Sequence, residues 1–519
     1  VKKKSGISPS SFKAVLKEKF GPKTGTTPGL QPCVVWIYRE YDTTRDINVV
    51  MTHPTLLNTC KVFKETLQLS SNNRIFSLCS HTTGLGFLQS CILGVYTGAT
   101  TSLFSPAEVT MDPKDFLIGL QNFNVKDVLL TPEFFYLMMD KAQKLLSANS
   151  SKSAGENSRK DSKSAALSPN FLRNVQNIMI PFNGRPRVHV IQTLLRKYPL
   201  VGASSTQLNY VYQHIFNPFI SLRSYLGIPP VELYLDPLSL REGIVKEVNP
   251  DTVPPGKLSE YICLHDSGIV PVCTDVSIVN PETQQPCYGD EIGEIWCCSE
   301  ANAYDYYVSR TDKSVSPNRN SSQNSTKGKL SKDTFITAQF KSKIQNGVNN
   351  GLTYLRTGDL GFIRNVSRLD AQGNMLNLSV LFVLGSINET VEVLGLTHFV
   401  TDLESSIKKA HSSIANCIVV KAGGLLSCIV ECRDNNLPQY SNLVPLIVGL
   451  LLKNHGVVLD LCCFVRPRSL NYIPRDWYKN RMKILNDWLN KKLKIDAQFG
   501  VNFGEMNSIY LLSDFEKDM

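Results

Sequence analysis

Between residues 34 and 146, short apolar runs alternate with helical spacings, and this constrains the fold more than any other feature of the chain. Val34-Val35-Trp36-Ile37-Tyr38 reads as a strand, and residues 54–67 place Leu56, Cys60, Phe63 and Leu67 at helical intervals. Strands over 75–79, 101–104 and 128–130 then alternate with helices over 85–96, 113–123 and 132–146. Within the first of these, Gly86 and Gly94 permit close packing. Strand–helix alternation at this interval predicts an α/β fold with a largely parallel sheet.

The pattern then changes twice. Residues 232–298 hold short strands broken by Pro and Gly, as in a distorted barrel. From about residue 380 a smaller α+β unit begins. It is read as a hairpin of 380–384 with 390–394, a helix over 401–410, strands over 416–421 and 425–432, a helix over 443–454, a strand over 457–465 and a closing helix over 478–493. The expected division is a large domain, 1–384, and a small mobile domain, 385–519. Two stretches rich in Ser, Asn and Lys, 147–169 and 309–332, read as surface insertions, because they lack the apolar groups that offset the entropy of ordering.

Composition narrows the function classes. With 42% hydrophobic and 19% charged residues in 519, the chain is neither globally disordered nor a coiled coil. No apolar run reaches the roughly 20 residues of a membrane helix. Val1 in place of Met suggests part of something longer, and no apolar segment follows the basic start as a secretory signal would require. The 14 cysteines, several inside apolar runs such as Ile262-Cys263-Leu264 and Leu461-Cys462-Cys463-Phe464, read as buried thiols of a reducing cytoplasm, and no metal ligands are named. The net charge of +10 is concentrated: residues 1–23 carry seven lysines against Glu18, and residues 466–496 carry nine Lys/Arg against three Asp. Without aromatic interleaving or a DNA-binding pattern, nucleic acid is not the expected partner, whereas an acidic membrane surface fits such patches.

A series of motifs in fixed order carries the functional reading. Gly293-Glu294-Ile295-Trp296 is followed by Leu355-Arg356-Thr357-Gly358-Asp359-Leu360-Gly361-Phe362, then Leu384-Gly385-Ser386-Ile387-Asn388-Glu389 and Gly395-Leu396-Thr397-His398-Phe399-Val400-Thr401-Asp402-Leu403-Glu404. His81-Thr82-Thr83-Gly84 and Asn183-Gly184 stand upstream. The series resembles the adenylate-forming superfamily, and within it the last fatty-acyl-AMP-ligase-like domain of the disco-interacting protein 2 family. The resemblance implies an adenylate-forming fold. Asp359 would bind ribose, Asn183 and Gly184 would run along adenine, and His81 and Gly84 would line the acyl pocket. Glu389 would be the hinge of the small domain, and Lys479 the catalytic lysine, at a spacing from Pro474 shorter than the family's.

Departures accompany the matches. The family's Ser/Thr/Gly-rich phosphate loop, whose backbone N–H groups close around anionic oxygens, reads here as Tyr41-Asp42-Thr43-Thr44-Arg45-Asp46-Ile47-Asn48-Val49-Val50. Only Thr43 and Thr44 resemble it, and Val50 takes the lysine position. The segment that holds Mg²⁺ through a glutamate reads Phe216-Asn217-Pro218-Phe219-Ile220. The favoured expectation is therefore a degenerate domain binding a lipid or acyl-nucleotide and contributing to diacylglycerol homeostasis within a larger polypeptide, whose preceding domains would complete its core. One alternative is an active fatty-acid adenylating enzyme using ATP and Mg²⁺. The other is a non-catalytic scaffold docking partners or acidic membrane. The expected compartment is the cytoplasm, with peripheral attachment at organelle membranes as its extension.

Overall fold

The computed structural model describes residues 31–39, 45–82, 84–123, 125–152, 167–182, 184–186, 188–254, 256–310, 340–346, 351–370, 372–422, 424–433, 437–470 and 481–501. Its central sheet has six strands, in the order Thr100–Leu103, Arg74–Ser77, Asp127–Leu129, Asn177–Phe182, Leu208–His214 and Asn217–Ser221. The first five are parallel and the last is antiparallel. Both faces are covered, so the strands alternate between two apolar cores rather than between core and water. Ile75, Leu129, Met179 and Val211 enter one core, and Phe76, Val128, Ile178 and Tyr210 enter the other. Each such side chain stabilises the fold by roughly 1.5–3 kcal/mol relative to exposure.

Local chemistry sets the helices. His53–Thr66 starts where the Thr52 hydroxyl accepts from the Thr55 N–H, with a proline in its first turn. The helix expected over 85–96 is broken in three: Gly84–Phe87, a π-helical turn Leu88–Ile92, and Leu93–Thr97 ending at Gly98. Gly86 is required there, because a Cβ would meet the Ser80 carbonyl oxygen at 2.0 Å. Pro132–Lys152 runs six residues into the stretch read as an insertion, and Asp305–Arg310 takes the first two residues of the other. The remainder of 309–332 lies outside the described residues.

The barrel-like part resolves into two antiparallel sheets. One orders Glu247–Val248, Glu232–Leu235 and Ile262–His265; the other orders Thr274–Val279, Gly293–Ser299, Leu355–Leu369 and Met375–Ser386. A third sheet holds Pro32–Arg39, Arg45–Thr52 and Asp305–Arg310.

The expected hairpin of 380–384 with 390–394 is not formed. Residues 380–384 belong to Met375–Ser386, paired with Leu355–Leu369, whereas Thr390–Val393 pairs with Leu396–Phe399. The reason lies in the turn. Leu394 (φ 54°) and Gly395 (φ 76°) form a two-residue loop with both φ positive, matching the twist of a tight hairpin.

Beyond it, Ile414–Ala422, Leu425–Cys432, Leu461–Val465 and Ile495–Gly500 form a four-stranded sheet. Val400–Ala410 and Leu437–His455 cover one face and Arg481–Leu489 the other. The second of these helices accommodates Pro445 internally. The strand expected over 457–465 is confined to Leu461–Val465, and the strand Ile495–Gly500 has no counterpart in the sequence reading.

Candidate functional site

Thr357-Gly358-Asp359 lies within the strand Leu355–Leu369, and a net of hydrogen bonds fixes its shape. Glu294, 1% exposed, is the anchor. Its Oε1 accepts from the Gly358 N–H at 3.0 Å, and its Oε2 accepts from Arg356 Nε at 2.8 Å and Trp296 Nε1 at 3.0 Å. The Thr357 hydroxyl donates to the Ile295 carbonyl at 2.8 Å and accepts from the Asp359 N–H at 3.1 Å. Gly358 has φ 73°, a conformation most side chains resist, and the pairing slips between Leu360 and Gly361. The bulge leaves Asp359 directed to Tyr212, whose hydroxyl donates to Asp359 Oδ2 at 2.7 Å.

Asp359 is a carboxyl held near neutrality. Burial first, and then the negative charges of Glu389 and Glu294, raise its pKa to about 6 against the opposing hydrogen bond from Tyr212. Tyr212 comes from the central sheet and stacks on Phe182 with ring centroids 5.7 Å apart. Phe182 immediately precedes Asn183-Gly184, so the sheet's aromatic edge joins the two predicted nucleotide motifs.

Three arginines tie this region to the elements after residue 386. Arg185, next to Gly184, donates from Nε to the Leu384 carbonyl at 2.7 Å, forms a forked ion pair with Asp402, and lies 5.1 Å over the Phe399 ring. Arg481 bridges Glu389 at 3.1 Å and the buried Glu404 at 3.2 Å. Arg241 donates to the carbonyls of Asn454 and His455 and to His455 Nδ1 at 3.1 Å. Since guanidinium only donates, Nδ1 is the acceptor and Nε2–H donates to the Ser406 hydroxyl at 2.7 Å. Burial, aided by the Arg241 charge, lowers the pKa of His455 to about 4; burial, Arg241 and His455 lower His398 beside it to about 4.

The predicted residues separate into groups. Gly184, Asp359 and Glu389 fall within one network: Gly184 through Arg185 to Leu384, Asp359 paired in register with Ser386, and Ser386 capping the short turn Ile387–Glu389. His81 sits exposed on a turn, and Gly84, buried, packs so closely under Tyr38 that a Cβ would stand 2.9 Å from its hydroxyl. Thr43, Thr44, Asn183 and Lys479 lie outside the described residues. The chain directly after Thr44 runs as a strand rather than a loop: Ile47, Val49 and Val50 are buried within Arg45–Thr52. Phe216-Asn217-Pro218-Phe219-Ile220 is equally sealed, Phe216 and Phe219 packing against Tyr306 and Phe63.

Sequence reasoning missed Tyr212, Arg185 and Arg481. Arg185 adjoins Asn183-Gly184 and Arg481 lies two residues after Lys479, which was the available signal; Tyr212 had none beyond an apolar strand. The reading of the cysteines also needs correction: Cys462 and Cys463 are buried, but Cys91 in the π-helical turn, Cys273 in a turn and Cys263 on the water-facing side of its strand are exposed. The carboxyl-terminal basic surplus is partly spent in pairs, Arg466 with Asp496 and Arg481 with its two glutamates. No helix among the described residues is long and apolar enough to cross a membrane.

Comparison with known proteins places this geometry. Residues 388–498 match the family described as "Disco-interacting protein 2-like, AMP domain". The chain is 55% identical, over its whole length, to 31% of the "Homeostatic regulator of DAG" of Saccharomyces cerevisiae. It is 26% identical, over 86% of its length, to 25% of human "Disco-interacting protein 2 homolog B". It thus spans less than a third of these relatives. Among solved structures, a study of fatty acyl-adenylate ligases from E. coli and L. pneumophila supplies a match with TM-score 0.60 and 14% identity, covering 86% of this chain and 68% of that one. The L. pneumophila ligase in complex with acyl adenylate and pyrophosphate matches with TM-score 0.51 and 18% identity, covering 92% of this chain and 73% of the other. At such identities the likeness establishes the fold. Residues 388–498 thus carry a disco-interacting protein 2-like AMP domain, and the chain as a whole is built on the adenylate-forming fold.

Proposed function

We propose that this domain binds a lipid or acyl-nucleotide and has lost the means of activating an acid with ATP. One observation carries the reading: Ile220, where the resemblance puts the magnesium-holding glutamate, is wholly buried among Tyr212, Val276 and Ile295. A hard cation needs oxygen ligands, so Mg²⁺ does not fit. Val50, at the lysine position, is 1% exposed inside a strand and offers no charge to a triphosphate. The carboxyls of Asp359, Glu389 and Glu294 crowd one another electrostatically and would repel the same anion. Adenylation relies on electrostatic stabilisation worth several kcal/mol per group, and two such groups are missing.

The parts that grip a nucleoside rather than a triphosphate are better kept. Asp359 on its bulged strand suits hydrogen bonding to ribose hydroxyls, and Gly184 beside Phe182 suits the adenine edge. In this reading the domain boundary falls at 384/385, with Glu389 as hinge, and the bridges from Arg185, Arg241 and Arg481 hold one orientation of the small domain. Within a longer polypeptide the domain would serve diacylglycerol homeostasis by sensing an acyl ligand, as the name of the Saccharomyces relative suggests.

The test pairs binding with turnover. A non-hydrolysable acyl-adenylate analogue is expected to bind, with affinity unchanged by Mg²⁺ and weakened by Asp359→Ala. Pyrophosphate exchange with fatty acid and ATP is expected to stay at background. Exchange above background that Asp359→Ala abolishes would establish the active enzyme instead.

A further inference from the structure

We infer that Glu232, Cys263 and His265 form a binding site for a borderline-soft divalent cation of the zinc class. The site is built by strand geometry. Cys263 and His265 are alternate residues of Ile262–His265, so their side chains share one face. Glu232, on the neighbouring antiparallel strand, stands directly opposite His265 and joins that face. The imidazole, thiol and carboxylate donor atoms all lie within 4.8 Å of one another, the one such trio among the described residues.

The distances suit a small tetrahedral ion. Two N/O ligands about 2.0 Å from zinc at the tetrahedral angle stand about 3.3 Å apart, and a sulfur ligand stands about 3.5 Å from either. His265 Nε2 is already 3.0 Å from Glu232 Oε1, so an ion entering between them needs small side-chain movements only. Thiolate and carboxylate together neutralise a dication, and the mix of S, N and O donors selects zinc over Mg²⁺ or Ca²⁺. A supporting shell is present: Gln192 Nε2 donates to Glu232 Oε1 at 3.4 Å, and the Tyr234 hydroxyl bonds the Cys263 thiol. The imidazole is 9% exposed and therefore held, while Glu232 at 42% leaves an approach from solvent.

Three protein ligands leave a fourth position for water. Binding converts the Cys263 thiol to a zinc-bound thiolate and releases its proton to solvent, one per ion. The ion would clip two strands beside the cleft that Ile262 lines with Arg241, His398 and Phe399. It would thus stiffen the large-domain wall against which the small domain rests.

The experiment uses the full 519-residue chain. Alkylation of Cys263 is followed by mass spectrometry with and without Zn²⁺, the exposed Cys91 and Cys273 serving as internal references. Zn²⁺ is expected to slow labelling of Cys263 at least tenfold relative to Cys91, and Mg²⁺ is expected to have no effect. Losing a supporting partner costs about 10–100-fold in metal affinity, so His265→Gln should cost about 100-fold or more. Competition with a chromophoric chelator should show one equivalent of Zn²⁺ fewer in Cys263→Ser. Both variants sit at a sheet surface, and unchanged circular dichroism confirms their folding. Equal labelling of Cys263 with and without saturating Zn²⁺ would overturn the site. So would the same stoichiometry in Cys263→Ser, or protection that survives His265→Gln.

Discussion

Two strands to which the resemblance assigns nucleotide and metal binding are built oppositely in this molecule. Leu355–Leu369 keeps a buried, ionisable Asp359, with Gly358 at positive φ and Glu294 anchoring the turn. Asn217–Ser221 is buried at every position and presents only core where a metal ligand would be needed. The first arrangement costs stability, since a carboxyl pushed to about 6 opposes its own burial at neutral pH. The second gains stability from apolar burial. The proposed function accounts for this unevenness: a domain that binds a ligand at Asp359 without metal-assisted chemistry would keep the first arrangement and convert the second.

The largest effect should come from reversing the second treatment. Ile220→Glu would place a carboxylate among Tyr212, Val276 and Ile295 without a partner. Such a change costs about 3–5 kcal/mol and belongs to the rare, severe class. Urea unfolding should show that loss equally with and without millimolar Mg²⁺. If Mg²⁺ restored the stability, the segment would still be shaped around a cation, and the contrast between the strands would break.

Asp359→Asn should act in the other direction. The folded carboxyl titrates near 6 against 3.8 for the free group, so the folded state binds the extra proton between these values. Stability from this group therefore falls as pH rises from about 4 to 6 and stays reduced at pH 7. The shift of about two units corresponds to about 3 kcal/mol, an upper bound on what the neutral amide can return. Asparagine can still accept from the Tyr212 hydroxyl. The melting temperature of Asp359→Asn should exceed that of the parent at pH 7 and converge with it near pH 4. A variant less stable at both pH values would mean that Asp359 is a structural capping residue and not a retained site.

The features legible in the sequence are the local ones. Helical spacing of Leu56, Cys60 and Phe63 found the helix His53–Thr66, and short motifs singled out Asp359 and Glu389 as candidates, because both signals are contained in short windows. The pairing of 380–384 was misjudged because strand partners are chosen by long-range register, and the turn at Leu394-Gly395 claimed Thr390–Val393 for another hairpin. Glu232 was invisible beside Cys263 and His265 for the same reason: 31 residues separate it from Cys263 in the chain and one strand spacing in the fold. Tyr212 illustrates the deepest limit. Its hydroxyl reaches Asp359 across 147 positions, and nothing in its own strand distinguishes it from Tyr210, two residues away on the same face.

The smallest expected effect tests whether the retained side is also the hinged side. Arg185 sits beside Gly184 and holds Asp402 and the Leu384 carbonyl, with its guanidinium about one-fifth exposed. A partly buried pair of this kind is worth about 1 kcal/mol, more than a surface bridge and less than a buried one. Arg185→Gln should therefore leave global unfolding nearly unchanged, because the amide can still donate to Leu384. The same loss should show in local opening, as faster amide exchange through Val400–Ala410, the helix that carries Asp402. An acyl-adenylate analogue that bridges the two parts would suppress that exchange in the variant. Exchange confined to the strands around Ile220 would instead assign the mobility to the sealed side and reverse the comparison.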